Sequence, residues 1–456
     1  MKITVLNGSP KGITSVTMQY IHYIQKQFPQ HELKILNVSQ NIGKIQKDED
    51  YFNGILDEIT SSNGILWASP VYYLLIPANL KRFIELISER KAENRLRNMY
   101  TAFLSTSIHF FDHSAHNYIH AVCDDLNMRY TGSFSADMYD LRRSSKREAL
   151  RLFAENFFNA IEESETTWRR FAPLNLRDFE YTPENTKNKI NSDTKKILIV
   201  TDSGSNQNNL EKMVQKFKAS FSSEVELVNL NDLDIKGSCL GCIHCGYDNK
   251  CVYDGKDDFI EFYNKKIKGA HILVWAGAIK DRYLSAKWKT FFDRSFFNGH
   301  APSLSGKQIG FIISGPLSQN ANLRQILEAY IEVQQANCAG FVTDEYGDSA
   351  YIDSLLENLG RRMVRFAEGG YTAPSTFLGV GGHKIFRDDI WGRLRFPFYA
   401  DHKSYKKMDF YDFPQKKRRM RIVNAIMLFL SRSPAFRKKV NARIKEEMIK
   451  PLQKVL

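Results

Sequence analysis

Lys2–Leu6 (KITVL) runs into NGSPKGITSVT, and Lys196–Val200 (KILIV) runs into TDSGSNQNNL: one arrangement is written twice in the chain. Each copy is a short apolar run, a loop of hydroxyl and amide side chains, and then apolar residues at three- and four-residue spacing, which predicts helices over Met18–Phe28 and Leu210–Phe221. Second strands are expected near 32–38 (ELKILNV) and 224–230 (EVELVNL). Third strands open the matching blocks GILWASPVYYLLIPANLKRFIELI and HILVWAGAIKDRYLSAKWKTFFDR. Fourth strands are expected at Met99–Ser105 and Gln308–Ser314, and fifth strands near Tyr130–Phe134 and Ala339–Val342. Strands that alternate with helices imply parallel pairing, because parallel neighbours need a crossover and the helix supplies it. The fold class is therefore α/β, two doubly wound domains in tandem with parallel five-stranded sheets, followed by a basic, mainly helical C-terminal extension.

The polar stretch Tyr181–Asp193 carries no apolar periodicity and reads as a linker. This gives a first domain over 1–180, a linker over 181–194, a second domain over 195–365, and an extension over 366–456 with no further alternation of strand and helix. Hydrophobic residues make up 43% of the chain and charged ones 25%, as in an ordinary globular protein. The longest apolar stretch, Ile422–Leu430, is too short to span a bilayer, and the N-terminus enters a strand without a signal-like segment. A cytoplasmic location is expected. Of the net charge of +13, +11 comes from Pro414–Leu456, where 13 Lys and Arg face two Glu. That is a basic tail and not a basic surface, and no recognition motif or aromatic platform accompanies it, so nucleic acid is excluded as a partner. The tail is a candidate for contact with an anionic membrane surface or a protein, against the plainer reading of a helix packed on its own protein; a homodimer is a further expectation.

In a doubly wound sheet, ligands sit outside the carboxyl ends of the strands, and the first strand-to-helix loop can hold an anion on its N–H groups. In the first copy Ser9, Ser15 and Thr17 can donate to a phosphate and Lys11 adds charge; the same residues would also make a well-capped helix. The loop has neither the GxGxxG nor the GxxxxGK[ST] pattern. The third strand ends at Ser69, Pro70, Val71, Tyr72 and Tyr73, suited to a flat ring, and the fourth at Ser105, Thr106 and Ser107, which add donors. Together these ends describe an FMN site. Through NGSPKG-x-x-S-x-T, SPVYY and P-x-x-L-K-x-F (Pro77, Leu80, Lys81, Phe83), the chain resembles the NAD(P)H-dependent FMN reductases of the flavodoxin-like fold. The resemblance is close over the first 180 residues and looser over 195–345. It implies that Ser9, Lys11, Ser15 and Thr17 bind the FMN phosphate, that Pro70–Tyr73 contact the isoalloxazine, and that Ser105–Ser107 form the third loop. The second copy keeps Ser203, Ser205, Asn206 and Asn208, but Ala276-Gly277-Ala278-Ile279 replaces the ring-binding segment, with Lys280, Asp281 and Arg282 behind it.

Cys239-x-x-Cys242-x-x-Cys245-x5-Cys251 packs four of the six cysteines into thirteen residues. Such spacing can wrap a cubane cluster. Zinc on four thiolates and unmetallated thiols stay open as alternatives. The motif resembles that of the iron–sulfur flavoproteins, and the resemblance implies a [4Fe-4S] cluster. Cys123 and Cys338 read as small buried hydrophobes.

His109 follows the fourth strand and is the candidate proton donor near the ring. On a helix His113, His116 and His120 would share a face, which could bind a metal or simply be polar. Gly379, Gly381 and Gly382, with Lys384 and Arg387, read either as plain turns or as an approach to a nucleotide phosphate. The expected activity is that of an NAD(P)H-dependent FMN oxidoreductase passing electrons from the nicotinamide to an unidentified acceptor; the alternative is a redox sensor or electron-transfer adaptor without small-molecule turnover.

Overall fold

The computed structural model describes residues 1–186, 188–204, 208–413, 417–450 and 452–453. The first half holds β1 (Lys2–Asn7), β2 (Glu32–Leu36), β3 (Gly64–Pro70), β4 (Tyr100–Ser107) and β5 (Arg129–Asp137). The second holds β6 (Ile197–Thr201), β7 (Val225–Asn229), β8 (Ile272–Ala278), β9 (Gln308–Ser314) and β10 (Asn337–Thr343). Each set forms one all-parallel sheet, in the orders β2-β1-β3-β4-β5 and β10-β9-β8-β6-β7. Read from the other edge, the second order is the first again, with the switch point beside the strand that opens each half. The central strands are buried along almost their whole length because helices cover both faces, and this is why they read as continuous apolar runs.

The halves are joined by one apolar core that runs from Leu6, Trp67 and Phe83 through Trp275, Trp288 and Tyr330. Each sheet keeps a separate core on its other face. Equivalent residues lie 194 apart in β1 and β6 (Ile3, Ile197) but 208 apart in β3 and β8 (Gly64, Ile272). β2 and β7 lie 192 apart (Leu33, Val225), so the second half carries 16 more residues between its second and third strands, and the four cysteines lie in that longer connection.

At the centre of the joint the helix Ala78–Glu89 packs on its counterpart Ala286–Ser295. Lys81 Nζ donates to Glu85 Oε1 (3.1 Å) and to the Lys280 carbonyl of the other half (3.0 Å). Lys289 Nζ, 208 positions on, pairs with Asp293 and donates to the Tyr72 carbonyl (2.8 Å). Each acid accepts the first N–H of the opposite helix, Glu85 from Ala286 (2.6 Å) and Asp293 from Ala78 (2.8 Å). All four side chains are nearly or fully buried. The exchange is self-complementary, as at a two-fold dimer interface. Burial pushes the Asp293 carboxyl up to about 6 and lowers Lys289, each against the attraction of the other.

The linker is anchored rather than loose. Tyr181 is fully buried with its hydroxyl on Asp353, and Ile190 bridges to Phe221. Beyond the second sheet, Gly379, Gly381 and Gly382 lie inside a helix, Phe377–Trp391, which corrects the reading of those glycines as turns. The absence of side chains lets that helix press against Glu332 and Phe110. The chain divides into two compact units, Met1–His402, which contains both sheets, and Lys403–Leu456. The second unit carries the helices Arg418–Leu430 and Pro434–Ile449. Among the described residues no helix is long and apolar enough to cross a membrane.

Removing one member of the buried exchange strands its partner. Asp293→Ala should cost about 3–5 kcal/mol in urea unfolding, and Lys289→Met with Asp293→Leu should recover most of it.

Candidate functional site

The carboxyl ends of β1, β3 and β4 open on a cavity of about 470 Å³. Ser9, Lys11, Ser15, Thr17, Pro70, Val71, Tyr72, Tyr73, Thr106 and Ser107, all expected from the sequence, line it. The first loop is shaped from within: the Lys11 N–H donates to Ser9 Oγ (3.3 Å), and Gly12 turns at φ +63° against Gln40. Ser15 Oγ caps the helix Val16–Gln27 by accepting from the Met18 N–H (3.3 Å). Thr17 and Thr106 share a hydroxyl hydrogen bond of 2.7 Å that ties the first loop to the third. The helix N-terminus at Ser15–Thr17 faces the cavity, so its positive dipole end and N–H groups suit an anion. Tyr73 and Leu74 adopt left-handed backbone (φ 42° and 70°) in the turn closed between Tyr72 and Leu75, which presents the tyrosines to the cavity.

Ser69, Ser105 and His109 are not among the lining residues. Ser69 lies beneath Gly8, where a Cβ would press on it, and its Oγ donates to the Pro70 carbonyl (2.9 Å). Ser105 Oγ meets His116 Nε2 at 2.7 Å, on the opposite face of the strand from Thr106. His109 is half-exposed, held by Asp112 Oδ2 (2.8 Å) and Ser135 Oγ (3.3 Å). The three further histidines take separate partners: His116 bonds Ser105, His120 stacks on Tyr130 and His113 lies beside Phe111.

The rest of the wall comes from regions distant in sequence. Tyr73 Oη accepts from Gln334 Nε2 (2.9 Å), and its ring lies against Tyr330 and Phe296 of the second half. Phe386, Leu394, Pro397 and Phe398 of the extension close another side. Among these stands His300, also on the wall. Its N–H donates to Asp401 Oδ1 (2.8 Å), and its Nδ1 lies 2.7 Å from Asp401 Oδ2. Gly299, at φ +71°, makes room for that carboxylate, since any Cβ there would overlap it. Only a contact across a hundred residues reveals the pair.

Cys239, Cys242, Cys245 and Cys251 line one small cavity of about 30 Å³ walled by Leu240, Ile243, Val252 and Phe297. The Gly241 N–H points at Cys239 Sγ (3.4 Å). Burial, then the neighbouring cysteines, push the Cys245 thiol up to about 12; burial likewise takes Cys239 up to about 12, eased by the Gly241 N–H. Four soft donors in an apolar shell with a backbone N–H on sulfur suit an iron–sulfur cluster or zinc. As they stand, no three His, Cys, Asp or Glu among the described residues are drawn into metal-holding geometry. Of the two single thiols, Cys123 is fully buried and Cys338 partly so. Cys239, Gly241, Ile243 and Phe296 line both cavities, so the cysteine loop of the second half is a wall of the first half's site. Gly241, at φ +62°, lies so close to Tyr72 Oη and Lys11 that a Cβ would overlap the phenol. Burial, and then Cys239 and Asp293, hold the Tyr72 phenol far above its usual range, so it acts as a neutral hydrogen-bonding group.

Among the described residues, the equivalent place in the second half carries side chains that bond within the chain. Asp202 stands where the first half has Gly8, and burial raises its carboxyl while Ser285 and Trp288 donate to it. Asp281 and Arg282 repeat the left-handed turn, but Arg282 is buried on Asp125, with two contacts of 2.6 Å. Asp344 takes the Ser314 hydroxyl (2.7 Å) and the Gly315 N–H (2.8 Å). Asn209 bonds the backbone of Phe179 and Tyr181. Ser203 and Asn208 bond within their own loop, and Ser205 and Asn206 lie outside the described residues.

A parallel sheet in the order 2-1-3-4-5, with a cavity at its switch point, defines a flavodoxin-like α/β protein. The family model for NADPH-dependent FMN reductase matches residues 1–137 and 195–348, and the chain belongs to that family in two tandem copies: it is a flavin-dependent NAD(P)H oxidoreductase. An iron–sulfur flavoprotein of Archaeoglobus fulgidus is 29% identical over 155 residues, covering 32% of this chain and 68% of that protein. Among solved structures, an apo NADH:FMN oxidoreductase is 16% identical over 35% of this chain and 89% of its own, with a TM-score of 0.31. The NAD(P)H:(acceptor) oxidoreductase FerB of Paracoccus denitrificans is 17% identical over 36% and 97%, with a TM-score of 0.28.

Two measurements check this arrangement. Gly241→Ala must push the cysteine loop off Tyr72, and should cost about 1–3 kcal/mol of stability and loosen FMN in a fluorescence titration. Burial lowers His116 from 6.5 to about 4, so the unfolded chain binds the extra proton between those values. Stability should be full above pH 6.5 and fall, by up to about 3 kcal/mol, as the pH drops toward 4. His116→Asn should flatten that limb in urea titrations.

Proposed function

We propose that the first half's cavity holds FMN, that Cys239, Cys242, Cys245 and Cys251 hold a [4Fe-4S] cluster, and that the chain passes electrons from NAD(P)H to a separate acceptor. The observation that carries this reading is the wall shared by the two cavities. Bound FMN would supply a ring that takes up hydride, and the cluster a one-electron carrier beside it. Six unpaired cysteines would stay reduced in the cytoplasm, where we place the activity.

The chain's own residues divide the work. Ser9, Ser15, Thr17 and the helix N-terminus would bind the phosphate, with Lys11 balancing its charge. Pro70, Val71, Tyr72 and Tyr73 would hold the ring, and Thr106 and Ser107 its polar edge. Ser69 and Ser105 would act from beneath, Ser69 under Gly8 and Ser105 by fixing His116. The aromatic side chains from the second half and the extension would exclude water from the reacting face. For the proton that accompanies hydride delivery to the acceptor, His300, oriented by Asp401, is better placed than His109, because it lies on the wall.

Protein purified without oxygen should show flavin bands and about four irons per chain. Cys242→Ser should lose the iron and keep the flavin. NADPH should bleach the flavin in stopped flow in both proteins. Failure with both NADPH and NADH would leave a cofactor-bearing adaptor in place of an enzyme, and flavin without iron would leave a plain FMN reductase. His300→Gln should leave flavin reduction near wild type and slow reoxidation by the acceptor by about 10²-fold.

A further inference from the structure

We propose that the helices Arg418–Leu430 and Pro434–Ile449 dock the protein on an anionic lipid surface. This goes beyond the flavin reading and stands independently of it.

Every residue of the first helix is exposed. Ile422, Val423, Ile426, Met427 and Leu430, at spacings of one, four, five and eight residues, form a single apolar stripe, with Ile422 60% and Ile426 54% exposed. The second helix adds charge and no stripe of its own, since Arg437, Arg443 and Glu447 fall among Phe436, Val440, Ile444 and Met448. Around the stripe of the first helix, residues 417–450 carry eleven Lys and Arg against two Glu. An aliphatic stripe of this length left in water is unfavourable and marks a binding surface.

The chemistry selects the occupant. The stripe lies on convex helix surface and is aliphatic, which suits a fluid apolar phase. The basic side chains at its borders can bury their stems and leave their charges at headgroup level. Neither helix can cross a bilayer, so both would lie in its plane. A nucleic acid would match the charge but give the aliphatic stripe nothing to do, since Phe429 and Phe436 are the only rings between 417 and 450.

The test is co-sedimentation of the full chain with vesicles of phosphatidylcholine, with and without phosphatidylglycerol. Binding should favour the anionic vesicles by on the order of tenfold or more and fall as salt shortens the reach of the charges. It should be lost both in Ile422→Asp with Ile426→Asp and in Arg418→Glu with Arg421→Glu. NADPH oxidation by both variants should remain at the wild-type level, which separates loss of docking from loss of folding. No binding, or equal binding to both vesicle types, would overturn the proposal. So would displacement by poly(U) together with unchanged binding in the double aspartate variant, which would assign the tail to nucleic acid.

Discussion

The reciprocal bonds of Lys81, Glu85, Lys289 and Asp293 set the register of the two halves, because a shift would leave buried charges and helix ends without partners. Each acid satisfies a helix N-terminus of the opposite half, and each lysine holds a carbonyl in the opposite turn, Tyr72 or Lys280. Those turns follow β3 and β8, the strand ends where a doubly wound sheet binds its ligand. The joint therefore shapes the site directly: Tyr72 is presented to the cavity by a strained turn whose carbonyl is held by a lysine of the other half.

The two ends of the joint differ in what their loops carry. The second half preserves the scaffold down to the left-handed pair Asp281 and Arg282, yet Asp202 and Asp344 satisfy the donors that an anion would need. A buried carboxylate repels a phosphate and competes for its hydrogen bonds. The second half supplies instead a wall of the first half's cavity. Its longer connection after β7 brings Gly241 against Tyr72 and Lys11, and the shared core fixes that approach.

How much of this the sequence disclosed follows from the range of the interactions involved. Repeated apolar runs with polar loops and periodic helices are local, and both parallel five-stranded sheets could be read from them, whereas the strand order is set by long-range pairing. The first loop and the Pro70–Tyr73 segment, which line the cavity, were legible because each is a contiguous motif. Ser69 and Ser105 were harder: they sit among residues that do line the cavity, but side chains alternate along a strand, and both point away from it. His300 and Asp401 left no local mark at all, since Gly299 and His300 gain meaning only when a carboxylate a hundred residues on fills the space a side chain would take. The glycines of 377–391 were misread for a related reason. Glycine marks close approach as readily as it marks a turn, and here the approach is between two helices.

A single fused chain adds something that two identical subunits could not. In a true dimer each half must carry the same residues, so a loop that improves one site is imposed on both. Fusion lifts that constraint: the lysine and acid pairs can stay symmetric where they carry the joint, while the loops at its two ends diverge. The 16 extra residues, with the four thiols among them, lie where they meet the cavity of the first half, while the carboxylates of Asp202 and Asp344 lie in the second. The exchange keeps its bonding pattern while its own residues differ, Glu85 against Asp293 and Tyr72 against Lys280, because the joint requires a carboxylate and a backbone carbonyl at those places and not a particular side chain.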